Sequence, residues 1–452
     1  MPKTKTAYVC SDCGSDYSKW QGQCADCGAW NTLSELRLGA VGAGKPRDVG
    51  YAGAQAVVAS LKTIGLEETR RIETGLAEFD RVLGGGLVPG SAVLIGGQPG
   101  AGKSTLLLQV TSKVAAQHNT LYVTGEESLQ QVALRARRLG LSPDSLQLMA
   151  ETSVESVLKA AATHNPRIIV IDSIQVMHTD TLQAAAGSVS QVRECAAAIT
   201  RFAKQTETVV LLVGHVTKDG SLAGPKVLEH MIDCSLLLEG AADNRFRTLR
   251  GQKNRFGAAN ELGVFAMTEQ GMREVKNPSA IFLSGAAADS PGSCVAVLWE
   301  GSRALLVEIQ ALVDESQASN PRRVAVGLEQ NRLAMLLAVL HRHGGVAVGA
   351  ADVFANAVGG VKVLETGVDL ALLLAVVSSF RDSSLPQGLV VFGEVGLSGE
   401  LRPVPGGQER IAEAAKHGFT RAIVPFANQP KQAISGIKVE AVKWLREALE
   451  LI

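Results

Sequence analysis

The chain has 452 residues, which at roughly 150 residues per domain suggests about three domains. Lys plus Arg and Asp plus Glu each number 44, so the formal net charge is zero, and hydrophobic residues make up 46%. That balance excludes a disordered chain, and the longest apolar runs, such as 370–377, fall far short of the ~20 residues of a membrane-spanning helix. The opening MPKTKTAYVC has basic residues with no apolar run behind them, which is not a secretory pattern. Aromatics are 4% and Gly numbers 47, a composition suited to α/β layers. With no net charge, any basic patch has to be local.

The first thirty residues carry Cys10, Cys13, Cys24 and Cys27, spaced C-x2-C-x10-C-x2-C. Two such turns supply four thiolates to one tetrahedral Zn²⁺ and close its shell, so the site reads as structural. Gly14 and Gly28 each follow a CxxC, where the knuckle needs a left-handed residue. Trp20 and Trp30 flank the second knuckle and read as the ribbon's small core or a docking face, ahead of a base-stacking platform. Cys195, Cys234 and Cys294 are scattered.

Residues 1–38 are thus a four-Cys zinc finger, and 39–59 a Gly/Ala-rich linker. The linker contains Gly44-Lys45-Pro46, discarded as a phosphate loop because Pro stands where Ser or Thr is needed. Over 60–280, apolar strands at 93–95, 121–123, 168–171, 209–213 and 234–238 alternate with helices at 104–116 and 129–139. Buried strands separated by helices argue a parallel sheet with crossovers. A second α/β unit spans 285–452, with strands at 295–299, 305–312, 388–392 and 421–424 and helices at 330–343, 368–380 and 408–417.

Residues 97–104 read GQPGAGKS, after a strand and opening a helix, the context of a phosphate loop. Gly97, Gln98, Pro99, Gly100, Ala101, Gly102, Lys103, Ser104 and Thr105 form the ATP-binding segment. Its N–H groups and the helix N-terminus face phosphate, Lys103 reaches the β- and γ-phosphates, and the Ser104 hydroxyl holds Mg²⁺. Asp172 ends the strand RIIVID and completes the magnesium shell. Glu126 and Glu127 follow another strand end, where a carboxylate can align the attacking water, Glu126 before Glu127. His215, at a third strand end, suits a γ-phosphate sensor.

Residues 245–255, RFRTLRGQKNR, place Arg245, Arg247, Arg250, Lys253 and Arg255 in one stretch without an acid. The run reads as a solvated hairpin face, a grip on a phosphate backbone, or a source of a trans-acting finger in Lys253 or Arg255. The loops 177–190 and 217–230, with Lys218 and Lys226, are candidate DNA loops.

KWQGQCADCGAWNT, TGLAEFDRVLGGGLVPGS, the phosphate loop, YVTGEES, VIDSIQ, GHVTKDG, AGPKVLEHMID and the segment Lys253-Asn254-Arg255-Phe256-Gly257 follow one another in the order of a known family. The chain resembles the bacterial RadA (Sms) family of DNA-repair proteins, within the RecA/DnaB superfamily of ring-forming ATPases. The resemblance implies an α/β fold. It comprises a RecA-like core, an N-terminal zinc ribbon and a C-terminal domain similar to the Lon proteolytic domain, carried by GEVGLSGELRPVPGG. It further implies a cytoplasmic homo-hexamer using ATP, Mg²⁺ and Zn²⁺ and moving along single-stranded and branched DNA. Its expected activity is branch migration of RecA-made intermediates, with the KNRFG residues coupling ATP to DNA. In the Lon-like part the serine position falls at Gly367 and the lysine position at Gln408, and Lys416 lies too far along to replace the base, so a scaffold without proteolysis is expected. An ATP-dependent protease, a clock-type signalling ATPase and a DNA-binding module without turnover are the rival readings.

Overall fold

The computed structural model describes residues 5–10, 13–38, 70–142, 146–215, 227–240, 245–283, 290–317 and 320–452. The linker 39–59, Lys218 and Lys226 lie outside the described residues. The chain divides into two compact units, Met1–Glu274 and Val275–Ile452.

The ribbon is a three-stranded antiparallel sheet of β1 (Lys5–Cys10), β2 (Asp16–Tyr17) and β3 (Leu33–Leu38), in the order β2-β1-β3. Each CxxC closes on its own carbonyl: Gly14 N–H donates to Cys10 O and Gly28 N–H to Cys24 O. Both glycines are left-handed, φ 78° and 73°, as the knuckle requires. The small core is Cys10, Cys24 and Leu33, backed by Tyr8, Cys13 and Tyr17. Trp20 and Trp30 are 56% and 69% exposed, so their reading as ribbon core is overturned. The interior is taken by cysteine sulfurs and Leu33, and both indoles stand outside it.

The ATPase sheet has nine strands in the order β12-β11-β10-β9-β4-β8-β7-β5-β6. The parallel part comprises β4 (Ala92–Gly97), β5 (Thr120–Thr124), β6 (Leu146–Ala150), β7 (Ile168–Asp172), β8 (Val209–Val213) and β9 (Cys234–Glu239). Alternate residues of its apolar runs face two different cores. Val93, Ile95, Ile168 and Val170 pack with α1 (Ala77–Leu83) and α2 (Lys103–Ala115). Leu94, Ile169, Ile171 and Leu212 pack with α4 (Val154–His164) and α5 (Val189–Thr206). A strand buried on both faces has no polar side to show, which is why these segments read as unbroken apolar runs.

The expected parallel sheet with crossovers is present, and an antiparallel extension is added to it at one edge. β10 (Phe246–Asn254), β11 (Leu262–Thr268) and β12 (Gly271–Glu274) extend it antiparallel from β9. Short connections of a few residues allow only hairpins there, since a parallel neighbour needs a long crossover. Side-chain caps start the helices: Ser128 forms a capping box with Gln131 at α3 (Leu129–Arg138), and Ser153 and Ser188 cap α4 and α5.

The second unit is a mixed seven-stranded sheet, β15-β16-β14-β13-β17-β20-β21. Its strands are β13 (Ser293–Glu300), β14 (Arg303–Glu315), β15 (Arg323–Val326), β16 (Ala351–Ala357), β17 (Leu389–Val391), β20 (Arg421–Pro425) and β21 (Lys438–Val442), with a separate hairpin of β18 (Glu394–Val395) and β19 (Leu401–Arg402). Among the described residues four α-helices accompany them: α7 (Gln330–Gly344), α8 (Asp369–Phe380), α9 (Gly407–Lys416) and α10 (Leu445–Leu449). Val297, Leu306, Phe392, Ile411 and Val424 lie in its core, and α8 is buried along ten of its twelve residues. No described helix is long and apolar enough to cross a membrane.

Candidate nucleotide and metal sites

Four strands end side by side at the carboxyl edge of the ATPase sheet, where ligands of α/β folds bind. They deliver Gly97, Glu126, Asp172 and His215 to one place. The loop after β4 turns through two left-handed glycines, Gly100 (φ 79°) and Gly102 (φ 101°), into the N-terminus of α2. At Gly97 an added Cβ would meet the Leu238 carbonyl at 2.6 Å, so only glycine lets the loop leave between two strands.

Lys103 is 5% exposed, and its Nζ donates to Gly97 O (2.7 Å) and Gln98 O (3.1 Å) within its own loop. Burial holds its pKa below the ordinary lysine value, opposed by the charges of Asp172 and Glu126. His215 Nδ1 is 3.4 Å from Lys103 Nζ, and its Nε2 is 3.4 Å from Glu126 Oε1. The Ser173 hydroxyl donates to the same Glu126 oxygen. Glu127 points elsewhere, into an ion pair with Arg135 of α3. Asp172 Oδ2 accepts from the hydroxyl of Tyr122 at 2.6 Å, inside the sheet. Burial raises the Tyr122 pKa well above its ordinary value, which keeps this hydroxyl a donor.

A cation beside a backbone cradle, a carboxylate at the next strand end and the Ser104 hydroxyl form a donor set suited to a nucleotide triphosphate with Mg²⁺. Lys103, Glu126, Asp172 and His215 are brought to one strand-end crevice, whereas Glu127 is turned away to Arg135. The ribbon fits its metal equally well. Cys10 Sγ and Cys27 Sγ are 3.7 Å apart, Cys13 Sγ and Cys24 Sγ 3.4 Å, and all four sulfurs lie within 4.8 Å of one another. A tetrahedral Zn²⁺ with Zn–S of ~2.3 Å spaces its sulfurs by about 3.8 Å. Thr32 and Tyr17 hydroxyls stand 3.1 Å from Cys10 Sγ and 3.3 Å from Cys24 Sγ, and the Tyr17 contact lowers the Cys24 pKa to about 6. Burial instead pushes Cys195 and Cys234 up to about 12, leaving them inert thiols.

The basic run 245–255 is only in part a solvated face: Arg245 and Arg255 are exposed, whereas Arg247 and Arg250 are buried. Arg247 and Arg250 are 2% and 7% exposed, the first lying against the phosphate loop at Ala101 and the second facing Glu239 at 3.9 Å. Lys253 Nζ donates to Ile232 O at 2.8 Å, and Arg255 Nη1 pairs with buried Asp233 at 3.1 Å. Asn254 Nδ2 reaches Val82 O, its Oδ1 accepts from Phe256 N–H, and Gly257 packs on the backbone of Gly84. The 177–190 loop contains no Lys or Arg, and buried Gln191 staples it through bonds to Thr179, Leu182 and Ala184. Sequence reasoning missed Tyr122, Ser173 and Arg135, whose partners lie on other elements.

In the second unit Gly367 faces the side chains of Glu365 and Arg410. Arg410 is fully buried and pairs in two-point fashion with Glu365, at 2.9 and 2.6 Å. Gln408 lies in the first turn of α9.

Three family models match parts of the chain: AAA domain over residues 61–221, rubredoxin metal binding domain over 8–35, and subunit ChlI of Mg-chelatase over 357–428. The chain is similar to DNA repair protein RadA of Haemophilus influenzae, 66% identical over 450 residues, covering 99% of this chain and 98% of that one. It has the same identity to the RadA of Escherichia coli over 451 residues, 99% and 98% of the two chains, and 45% identity to that of Bacillus subtilis over 456 residues, 99% of each. The AAA, RecA-like domain makes the protein an ATP-hydrolysing enzyme using ATP and Mg²⁺, and the four ribbon cysteines hold Zn²⁺. With such identity over nearly the whole length, the chain belongs to the RadA family of DNA repair proteins.

Proposed function

We propose that the protein is a DNA-dependent ATPase and DnaB-like translocase. Its role is to drive branch migration of RecA-made strand-exchange products during repair by homologous recombination. The observation that carries the ATPase part is the line Lys103–His215–Glu126 across one strand-end crevice, in a chain whose relatives are named DNA repair proteins. The family resemblance extends this to a cytoplasmic homo-hexamer acting on single-stranded and branched DNA with RecA as partner.

In this reading the carbonyls of Gly97 and Gln98 hold Lys103 in place until nucleotide phosphate takes over as its partner. Ser104 and Asp172 would hold Mg²⁺, and Tyr122 fixes one Asp172 oxygen. Held by these residues, the ion would supply neutralisation of the phosphate charge. Glu126 accepts the proton of the attacking water, and the Ser173 hydroxyl and His215 orient its carboxylate. His215, touching both Glu126 and Lys103, passes the state of the γ-phosphate to the loop after β8. Lys253 and Arg255 couple this cycle to DNA or to a neighbouring subunit. The Lon-like unit serves as a scaffold and DNA-binding element. The Glu365–Arg410 pair at Gly367 supports the absence of proteolysis there.

The test is ATP hydrolysis with and without single-stranded DNA at two salt concentrations, on wild type and Lys103→Ala. Stimulation that weakens with salt, and its loss in Lys103→Ala, are expected. Turnover indifferent to DNA overturns the translocase reading, and undiminished turnover in Lys103→Ala overturns the assignment of the phosphate loop.

A further inference from the structure

Arg247 looks, in the sequence, like one cation among five in a surface run. In the fold it is 2% exposed and aimed at the phosphate loop. Its Nε–H donates to the carbonyl of Ala101 at 3.1 Å, and its Nη1 to the carbonyl of Phe246 at 2.9 Å. Ala101 is itself 1% exposed and sits between the two left-handed glycines, Gly100 and Gly102. Keeping a guanidinium this far from water is costly unless its donors are met, so the contact is a constrained one.

The same antiparallel extension touches the loop at further points. A Cβ on Gly102 would lie 2.4 Å from the Met272 methyl and 2.7 Å from that of Met267, so both methionines rest against the loop's backbone. Gln109 of α2 exchanges two hydrogen bonds with the Met272 backbone, at 2.8 and 3.2 Å. Gly240, at φ +143°, makes room for the arginine, since a Cβ there would lie 2.5 Å from Arg247 Cδ. Three strands remote in sequence thus converge on one turn of the loop and on the helix it opens.

A loop with three glycines, two of them left-handed, has more conformations to lose on binding phosphate than an ordinary turn. Holding one carbonyl before the ligand arrives lowers that cost. A planar guanidinium sets the direction of the carbonyl as well as its distance, which a lysine cannot do.

We infer that Arg247 is a positioning residue for nucleotide binding. It fixes the Ala101 peptide so that the N–H groups after it are aligned for phosphate before the nucleotide enters. Arg247 does not touch the nucleotide and acts through the loop. The inference rests on the reading of residues 97–105 as the phosphate loop.

The experiment uses the full chain as Arg247→Met, Arg247→Lys and Lys103→Ala. It measures the Kd of a fluorescent ATP analogue, kcat at saturating ATP, and Tm. Arg247→Met is expected to weaken binding about tenfold and Arg247→Lys by a smaller factor, both with kcat within about twofold of wild type. A lowered Tm with unchanged Kd means that Arg247 serves the fold alone, and overturns the inference. Should Arg247→Met fail to fold, Arg247→Lys decides, and wild-type affinity in it overturns the inference equally. Lys103→Ala separates the two levels. If it loses binding while the Arg247 variants keep it, only the inference about Arg247 fails. If it binds like wild type, the phosphate-loop reading itself fails, and the role of Arg247 with it.

Discussion

Glu126 and Glu127 are adjacent, chemically identical and both placed just past the end of β5, yet they meet different partners. Glu126 shares an oxygen with the Ser173 hydroxyl and His215, on the side of Lys103, whereas Glu127 is neutralised by Arg135. A carboxylate already satisfied by a guanidinium is a poor proton acceptor, while one held by a hydroxyl and an imidazole is oriented without being neutralised. Glu126→Gln should therefore lower single-turnover hydrolysis at least about a hundredfold with nucleotide affinity retained. Glu127→Gln should cost only a few-fold. The reverse order would transfer the base to Glu127. The phosphate loop, the four cysteines and these acids were legible because each is a local motif beside a local strand or helix signal. Tyr122 was not, because its partner Asp172 lies fifty residues away, and spacing carries no information about such a pair.

Elements were legible where periodicity was strong. The strands expected at 93–95 and 168–171 fall within β4 and β7, and that at 209–213 coincides with β8. The antiparallel extension of β10, β11 and β12 was legible only as a hairpin at 245–255, and the burial of its cations was not, since Phe246–Asn254 mixes buried Arg247, Leu249, Arg250 and Gly251 with partly exposed residues and so reads as a charged surface. What fixes this extension is close backbone packing on α1. A Cβ at Gly263 of β11 would meet the Glu78 carbonyl at 2.6 Å and Val82 at 3.1 Å, and Glu78 Oε2 accepts the N–H of Val264 at 2.9 Å. The obstruction at Gly263 is backbone, so it cannot yield by a rotamer change. Gly263→Ala should destabilise the ATPase domain by about 1–3 kcal/mol, read as a lower denaturant midpoint. An unchanged midpoint would show that α1 is free to move away from β11.

At the scale of the whole molecule, two α/β units with separate cores share one chain, and the second has an ion pair at the place where the resemblance puts protease chemistry. Arg410 is fully buried and meets Glu365 through both terminal nitrogens, while its Nε donates to Pro405 O at 2.8 Å and its guanidinium carbon stands 5.5 Å from the centre of the Phe392 ring. Glu365 also accepts the Trp299 N–H at 2.6 Å, so the pair ties β13, the approach to α8 and α9 together. Such a pair contributes little compared with an apolar replacement, yet removing one member strands a charge away from water. Glu365→Gln preserves shape and leaves Arg410 without its counter-charge, so the unit should lose about 3 kcal/mol of stability. Because the phosphate loop belongs to the other unit, the Kd for ATP should stay at its wild-type value. Thermal unfolding followed beside nucleotide binding reads both quantities on one sample. A matched loss of nucleotide affinity would mean that the second unit supports the ATP site, and unchanged melting would mean that the guanidinium finds another counter-charge in the fold.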